Sequence, residues 1–490
     1  MNTLVKVRLD GNPIDAPAGS TILEVARREG VYIPTLCYSP LLPPLENCRL
    51  CVVAVTGERQ YKSACSTLVR DGMEITTHSP ELQQTRKFLL ELLLDTHYGD
   101  CVAPCTVTCP ANVDIQGYLA LIRSGDYLEA VQLIKQKIPM PASIGRVCPH
   151  PCEGACRRHL VDEPVNINHC KRFVADYEMR SGRRILPRVP AETGRKVAII
   201  GGGPAGLSAA YYLRSFGHGA TIFEARSKLG GMLRYGIPEY RLPKTILDWE
   251  IEGILSLGVS VKTGVRWGQD FTLDDLKKDN FDAIFLAIGA WQSRNLGIVG
   301  EDLDGVVSGV AFLERVGSGQ PVAVGRKVVI IGGGNVAIDA ARTTLRLGAD
   351  RVTVLYRRSR KEMPASPEEI EAAEAEGVDI QLLAAPIRAL GDNGAIRQLE
   401  LIRMELGEPD AGGRRRPVPV EGSETIIETD QLISAIGQFP EIIPPARDGA
   451  MRNIPSTRWN TIGGDPRSMY TGHERVFVGG DLFQGPMTVV

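Results

Sequence analysis

No cysteine occurs between residue 171 and the end of the 490-residue chain, although eleven precede it. That segregation points to two functional halves. The count is odd, and no apolar leader stands ahead of it, because MNTLVKVRLDG alternates apolar and polar residues like a strand. A disulfide framework is therefore a poor reading, and such local clustering points instead to bound metal or iron–sulfur clusters. No apolar run approaches the roughly 18 residues that a membrane span needs, so a cytoplasmic protein without a span of its own is expected. Net charge is also missing: 56 basic against 58 acidic residues leave −2. This gives no electrostatic case for nucleic acid or an anionic membrane, and small molecules and proteins are the expected partners. With 43% hydrophobic residues over this length, the chain exceeds one core and should divide into about three or four domains.

The first four cysteines fall in residues 1–80. The segment reads strand, Asp10-Gly11 turn, strand, then a helix opened by the capping-box pattern Thr21-x-x-Glu24. The spacing Cys37-x10-Cys48-x2-Cys51-x13-Cys65 puts three thiolates on one long loop and a fourth on a later segment, enough to wrap a [2Fe-2S] cluster. A structural zinc site usually offers two short C-x2–4-C knuckles, whereas only Cys48 and Cys51 form one here. The x10 gap resembles the [2Fe-2S] domain of complex I's large subunit and of iron-only hydrogenases. A β-grasp ferredoxin domain is expected.

The other seven lie in residues 81–190, expected to be a helical domain. Cys101-x3-Cys105-x3-Cys109-Pro110 is followed by Cys148-x3-Cys152-x3-Cys156 and a lone Cys170. In the bacterial two-cluster motif, the cysteine before proline ligates the other cluster, which suggests two interleaved [4Fe-4S] clusters. Two such clusters need eight ligands, and seven cysteines remain. With GRVCPHPCEGACRR and EPVNINHCKRF, this segment resembles the N-terminal cluster domain of the glutamate synthase small subunit and of dihydropyrimidine dehydrogenase. The resemblance implies Cys101, Cys105 and Cys156 for one cluster, and Cys109, Cys148, Cys152 and Cys170 for the other. His97 is the candidate eighth ligand, since H-x3-C resembles the His-plus-three-Cys cluster of complex I's large subunit. The alternatives are that His97 merely ends a helix on the surface and that Cys170 is a buried thiol.

From residue 196 the pattern becomes βαβ. KVAIIGGGPAGLSAAYYLRSFGHGATIFEA supplies a buried strand, Gly201-x-Gly203-Pro204-Ala205-Gly206 opening a helix, and a second strand ending at Glu224, which can accept from ribose hydroxyls. KLGGMLRYGIPEYRLPK, which contains Gly231, and the late VFVGGDLFQGP resemble the FAD site of the glutamate synthase small subunit. That resemblance implies Arg241 at the flavin, Asp481 on the ribityl chain, and Thr488 with the preceding backbone within reach of FAD. At residue 327 the unit repeats with Gly332-x-Gly334, then Asn335, Val336 and Ala337. The second strand now ends in Arg357-Arg358, where an NAD site would place an acid. An arginine pair suits a 2′-phosphate and favours NADP; the bland reading is a solvated basic stretch that continues through Arg360 and Lys361. Asn335 resembles the family's asparagine after the glycine turn, with a helix N-cap as the plainer alternative.

The expected fold is multidomain α/β. An FAD domain (191–300 and 436–490) is interrupted by an NADP domain (301–435), and FLAIGAWQ (285–292) and LISAIGQF (432–439) mark the crossings. Both are Rossmann-like, and in architecture they resemble thioredoxin and glutathione reductases. Neither carries C-x-x-C, which argues against disulfide reduction, and no Ser/His/Asp set or carboxylate pair is placed to work on an organic substrate. The family pattern continues past GPMTVV into a helix that covers the flavin, whereas this sequence stops at Val490, so the chain is expected to be either truncated or unusual there.

These parts imply an NADPH-linked electron-transfer subunit, since FAD exchanges hydride with nicotinamide and iron–sulfur clusters take single electrons. The whole resembles the glutamate synthase small-subunit family, including the large subunit of NADH-dependent ferredoxin:NADP oxidoreductase. The added [2Fe-2S] domain points to a flavin- or ferredoxin-linked partner subunit in a transhydrogenase- or bifurcating-type complex. The competing readings are a glutamate synthase small subunit and a non-catalytic cluster-bearing scaffold.

Overall fold

Asp10 and Gly11 both sit at positive φ (50° and 84°), the geometry of a tight hairpin turn. They fold strand Leu4–Leu9 back on Asn12–Pro17. The computed structural model describes residues 4–40, 42–97, 99, 101–409, 413–444 and 446–490. It forms two compact units that divide after Val102.

In the first unit the hairpin joins a five-stranded sheet in the order Asn12–Pro17, Leu4–Leu9, Glu74–Thr76, Val52–Val55, Lys62–Ser63. The Ile22–Arg28 helix packs on it, and both halves of the Thr21/Glu24 capping box are formed. Cys51 and Cys65 lie within this core beside Val53 and Ile75. Helix Pro80–Asp95, expected in the 81–190 domain, goes with this unit. Arg86 is the reason: it reaches under the helix and donates from Nη2 to the carbonyls of Val52 (2.7 Å) and Thr77 (3.0 Å).

The second unit begins with short helices that include Pro104–Thr108, Ile115–Ser124, Tyr127–Lys135, Pro141–Val147, Pro151–Gly154 and Ile167–Arg180. Their amphipathic faces enclose Tyr118, Ile134 and Val174 together with Cys109 and Cys152. Two parallel five-stranded sheets follow, both built on one plan. In the first, Val476–Val478, Ala283–Leu286, Lys196–Ile200, Gly219–Glu224 and Ser260–Thr263 lie side by side; in the second, Val306–Ser308, Gln431–Ser434, Lys327–Ile331, Arg351–Tyr356 and Asp379–Leu382 do. Strands buried on both faces explain the continuous apolar runs at KVAII and KVVII.

The chain leaves the first sheet after Leu286 and returns after Ser434. Gln292–Ser293 and Gln438–Phe439 then pair antiparallel, so the two crossings run side by side. An antiparallel sheet that the sequence reading did not anticipate (Ala384–Asp392, Ala395–Pro409, Arg415–Pro419, Thr425–Glu428) is inserted within the second nucleotide-binding domain.

Candidate cofactor sites

The glycine turns are set by contacts that leave no room for a side chain. Gly201 has φ +108°, and a Cβ there would lie 2.3 Å from the Ala287 carbonyl oxygen; a Cβ on Gly206 would meet the Gly201 carbonyl oxygen at 1.9 Å. Gly231 (φ +52°) approaches Gly203 to the point where a Cβ would be 2.7 Å from its Cα. The second turn repeats the arrangement: Gly332 (φ +147°) faces the Ala435 carbonyl oxygen, with a Cβ at 2.4 Å. Each junction motif thus supplies the alanine that backs a glycine turn. Gly203 and Gly334 precede their helices in extended conformation, leaving the first N–H groups directed out of the turn for a pyrophosphate.

A cavity of about 1020 Å3 joins these elements. Gly201, Gly203, Pro204, Ala205, Glu224, Gly231, Arg241, Asp481 and Thr488 line it, and from the second domain so do Asn335 and Val336. Glu224 is buried and accepts from the N–H groups of Gly202 (2.7 Å) and Arg226 (2.8 Å), which fixes its carboxylate at the end of the second strand. Burial pushes the Asp481 carboxyl up to about 6, against the Met487 N–H that favours its charged form. After Thr488, Val489 packs on the cores of both the first nucleotide-binding domain and the helical domain.

Arg241 lines the cavity but binds across it. Its guanidinium contacts Asp339 Oδ2 (2.7 Å) and Glu369 Oε1 (3.0 Å), both on the second nucleotide-binding domain. Burial holds Asp339 up at about 6 even with Arg241 beside it, and its Oδ1 has no hydrogen-bond partner. A second pair, Arg226 Nε to Glu314 Oε1 (2.7 Å), spans the same two domains, and that guanidinium lies 3.3 Å over the Trp291 ring centroid. Neither pair was legible as a pair in the sequence; only the charged residues themselves were.

Asn335 is not the N-cap. Gly334 occupies that position, and the Asn335 side chain accepts from the Ser366 N–H at 3.4 Å. Arg357 is exposed, whereas Arg358 is buried and donates from Nε to the Arg415 carbonyl at 2.8 Å. Arg360 makes a two-pronged ion pair with Glu374. The arginine run therefore divides into residues with separate tasks.

The cysteines gather by group. In the first unit the Cys48 thiol is pushed up by burial. The N–H groups of Leu50, Cys37 and Leu36 and the Cys37 side chain outweigh this and bring it below its ordinary value. Burial, then Cys51, Cys37 and Glu46, push Cys65 up to about 12. All four predicted thiols therefore lie around one place. His97 Nε2 stands 3.7 Å from Cys101 Sγ, beyond the Pro80–Asp95 helix that it was expected to end.

In the second unit Cys105 is raised by burial and by neighbouring Cys156, while Cys152 is pushed up to about 12 by burial, Cys148, Glu153 and Cys109, with Lys171 opposing. Cys105 thus neighbours Cys156, and Cys152 neighbours Cys148 and Cys109. Tyr118 is buried among them, and its hydroxyl is held far up by burial and by Cys152, Cys170, Cys109 and Cys105. That places Cys170 in the same neighbourhood. Among the described residues no three His, Cys, Asp or Glu groups close tightly enough to hold a single metal ion. A cluster several ångströms across asks for thiols set further apart than the ligands of one ion. Cys148 lines the large cavity, as does His150, which occupies left-handed backbone (φ 39°) and donates its N–H to Cys148 Sγ at 3.4 Å. The sequence marks His150 only by its place between Pro149 and Pro151.

Comparison with known proteins agrees with this division. Residues 195–490 match the family model for pyridine nucleotide-disulphide oxidoreductases, residues 99–183 that for dihydropyrimidine dehydrogenase domain II with a 4Fe-4S cluster, and residues 2–80 that for a 2Fe-2S iron–sulfur cluster binding domain. Over 412 residues the chain is 45% identical to the NADP(+)-dependent formate dehydrogenase subunit beta of Moorella thermoacetica, covering 79% of this chain and 57% of that one. It is 44% identical over 415 residues to the NADPH-Fe(3+) oxidoreductase subunit beta of Geobacter sulfurreducens, covering 79% and 61%. The chain thus spans about three-fifths of the length of these two relatives. With the glutamate synthase [NADPH] small chain of Escherichia coli it shares 35% identity over 400 residues, covering 79% of this chain and 84% of that one. Mycobacterium tuberculosis FprA in complex with NADPH has a related fold, with a TM-score of 0.51 at 20% identity, covering 60% of this chain and 80% of that one.

Proposed function

Because the chain belongs to the pyridine nucleotide-disulphide oxidoreductase family, with the glutamate synthase small chain among its relatives, we propose that it is the NADP(H)-side electron-transfer subunit of a larger soluble complex. The observation that carries this reading is one cavity bounded by both glycine-turn domains and by Cys148. FAD, when bound, would exchange hydride with nicotinamide and electrons singly with iron–sulfur clusters. Gly201, Gly203, Gly206 and Gly231 make room for the dinucleotide, Glu224 accepts from its ribose, and Asp481 and Thr488 bound its other end. Gly332, Gly334, Asn335 and Val336 offer the second nucleotide site, and the exposed Arg357 is the available cation for a 2′-phosphate, with Arg358 holding the strand end through the Arg415 carbonyl.

Cys37, Cys48, Cys51 and Cys65 would hold a [2Fe-2S] cluster. Cys109, Cys148, Cys152 and Cys170 would hold one [4Fe-4S] cluster, and Cys101, Cys105, Cys156 and His97 are assigned to the other. These residues bind, orient and screen; no side chain needs to act as an acid or base. The beta-subunit relatives support a complex in which a partner supplies or removes the electrons, and a transhydrogenase- or bifurcating-type assembly is the specific form proposed. The 84% coverage of the glutamate synthase small chain favours a second reading, the NADPH-oxidising subunit of such an enzyme. Anaerobic addition of NADPH, followed optically and by EPR, tests the common core. Flavin bleaching with cluster signals is expected; neither bleaching nor a signal would sink it. Identifying the chains that co-purify separates the two forms.

A further inference from the structure

We propose that Glu250 is a positioning residue that, from the flavin-side domain, holds the Pro141–Val147 helix so that Cys148 is fixed at the wall of the large cavity. This rests on the reading above, in which that cavity takes a flavin and Cys148 ligates a cluster. Glu250 is buried, on helix Lys244–Leu255 of the first nucleotide-binding domain. Its two carboxylate oxygens accept from the Ala142 N–H (2.7 Å) and the Ser143 N–H (2.8 Å).

The helix these groups open begins with Pro141, which has no N–H. Ala142 and Ser143 therefore carry the first two orphan donors of the turn, and Glu250 takes both. At the far end Cys148 is the C-cap, its N–H donating to Ile144 O at 2.9 Å. Between them Gly145, Arg146 and Val147 line the cavity.

The opposite face of the helix is equally constrained. A Cβ on Gly145 would lie 2.9 Å from Arg172 Cβ, so the helix rests directly on Ile167–Arg180. Arg146 pairs with Asp176 on that helix at 2.8 Å. Ala142, Ala175 and Ile246 form a small apolar contact where the three helices meet. Toward the flavin domain the short helix makes apolar contacts through Ala142 and Val147, and the carboxylate adds the directional tie at its first turn.

A buried carboxylate is costly to keep, and burial pushes Glu250 up to about 7 against the Ser143 and Ala142 N–H groups and Lys135. An apolar residue would avoid that cost but orphan two donors. Glutamine would offer one acceptor and turn its NH2 toward the second N–H. Only a carboxylate satisfies both donors, so a charged group at this depth has a specific task.

The test uses the full chain with its clusters, comparing wild type with Glu250→Gln and with Glu250→Asp as the conservative control. The measurements are the rate of flavin bleaching by NADPH, the rate of the cluster reduction that follows it, EPR titration of each cluster with a chemical reductant, hydrogen exchange over residues 142–148, and thermal stability. For Glu250→Gln, bleaching is expected to stay within about twofold of wild type. Cluster reduction should slow by about tenfold or more, because ångström-scale misplacement has large kinetic consequences. The midpoint of one [4Fe-4S] cluster should shift, the other clusters should not, and residues 142–148 should exchange faster. Glu250→Asp should fall between the two.

Wild-type cluster reduction, titration and exchange in Glu250→Gln would overturn the proposal. So would equal slowing of bleaching and cluster reduction with a fall in thermal stability, the mark of a scaffold residue only. If Glu250→Gln fails to accumulate, Glu250→Asp decides by the same measurements. Absence of bleaching in wild type would count against the function reading alone, since titration and exchange still report on Glu250.

Discussion

At the scale of single residues, space and charge set the consequences. A methyl group on Gly206 would stand 1.9 Å from the Gly201 carbonyl oxygen, a contact that only backbone movement can relieve. Gly206→Ala is therefore expected to lose bound FAD, read from flavin absorbance after gel filtration. Arg241 neutralises buried Asp339, and removing one partner of a buried pair costs about 3–5 kcal/mol. Arg241→Leu should lower the unfolding midpoint accordingly.

Asp339 also gives a pH signature. Its folded value near 6 lies above the ordinary 3.8. Its contribution to stability is therefore fully present below the unfolded value and is lost as pH rises through the folded one. The stability difference between wild type and Asp339→Asn should fall by on the order of 2 kcal/mol between pH 4 and 7, measured by denaturant titration. His97 is decided by iron. His97→Ala should damage one [4Fe-4S] cluster and leave the other and the [2Fe-2S] cluster in place, read by EPR; a full iron complement would make it a surface histidine.

At the scale of elements, what could be read from sequence was whatever a short segment dictates by itself. Gly201 and Gly206 declare their turn because the positive φ of the one and its carbonyl's approach to the other are local demands. The cysteine groups declare themselves because ligand spacing is local too. The Thr21/Glu24 box formed as its spacing indicated. Contacts made by long-range packing left no such trace. Glu250 reaches residues more than a hundred positions earlier, and Arg226 meets Glu314 only because two sheets are set side by side. Helix Pro80–Asp95 is grouped with the cluster domain by proximity in sequence, whereas Arg86 ties it to strand Val52–Val55 of the first unit. The sheet from Ala384 to Glu428 was missed because its strands alternate weakly and lie inside a domain whose βαβ signal dominates the reading.

At the scale of the whole molecule, the parts add up to a count that can be checked. The proposed complement of one [2Fe-2S] and two [4Fe-4S] clusters predicts about ten iron atoms per chain, with matching sulfide, measured by iron and sulfide analysis. Because thiols gathered this closely repel one another as thiolates, removing the iron anaerobically with a chelator should lower the unfolding temperature of the chain, whereas an ordinary soluble domain would be indifferent.

The paired crossings carry a different kind of consequence. Gln292 lies opposite Phe439 and Ser293 opposite Gln438, so the inserted domain enters and leaves at one spot, like a cassette in a slot. Its removal cuts no strand of the host sheet, and takes from Arg241 and Arg226 the partners Asp339, Glu369 and Glu314. Deleting residues 294–437 and bridging Ser293 to Gln438 with a short turn should leave a flavoprotein that absorbs at flavin wavelengths and no longer responds to NADPH. A shuffled lineage could alter its choice of nicotinamide coenzyme by replacing that one block and nothing else.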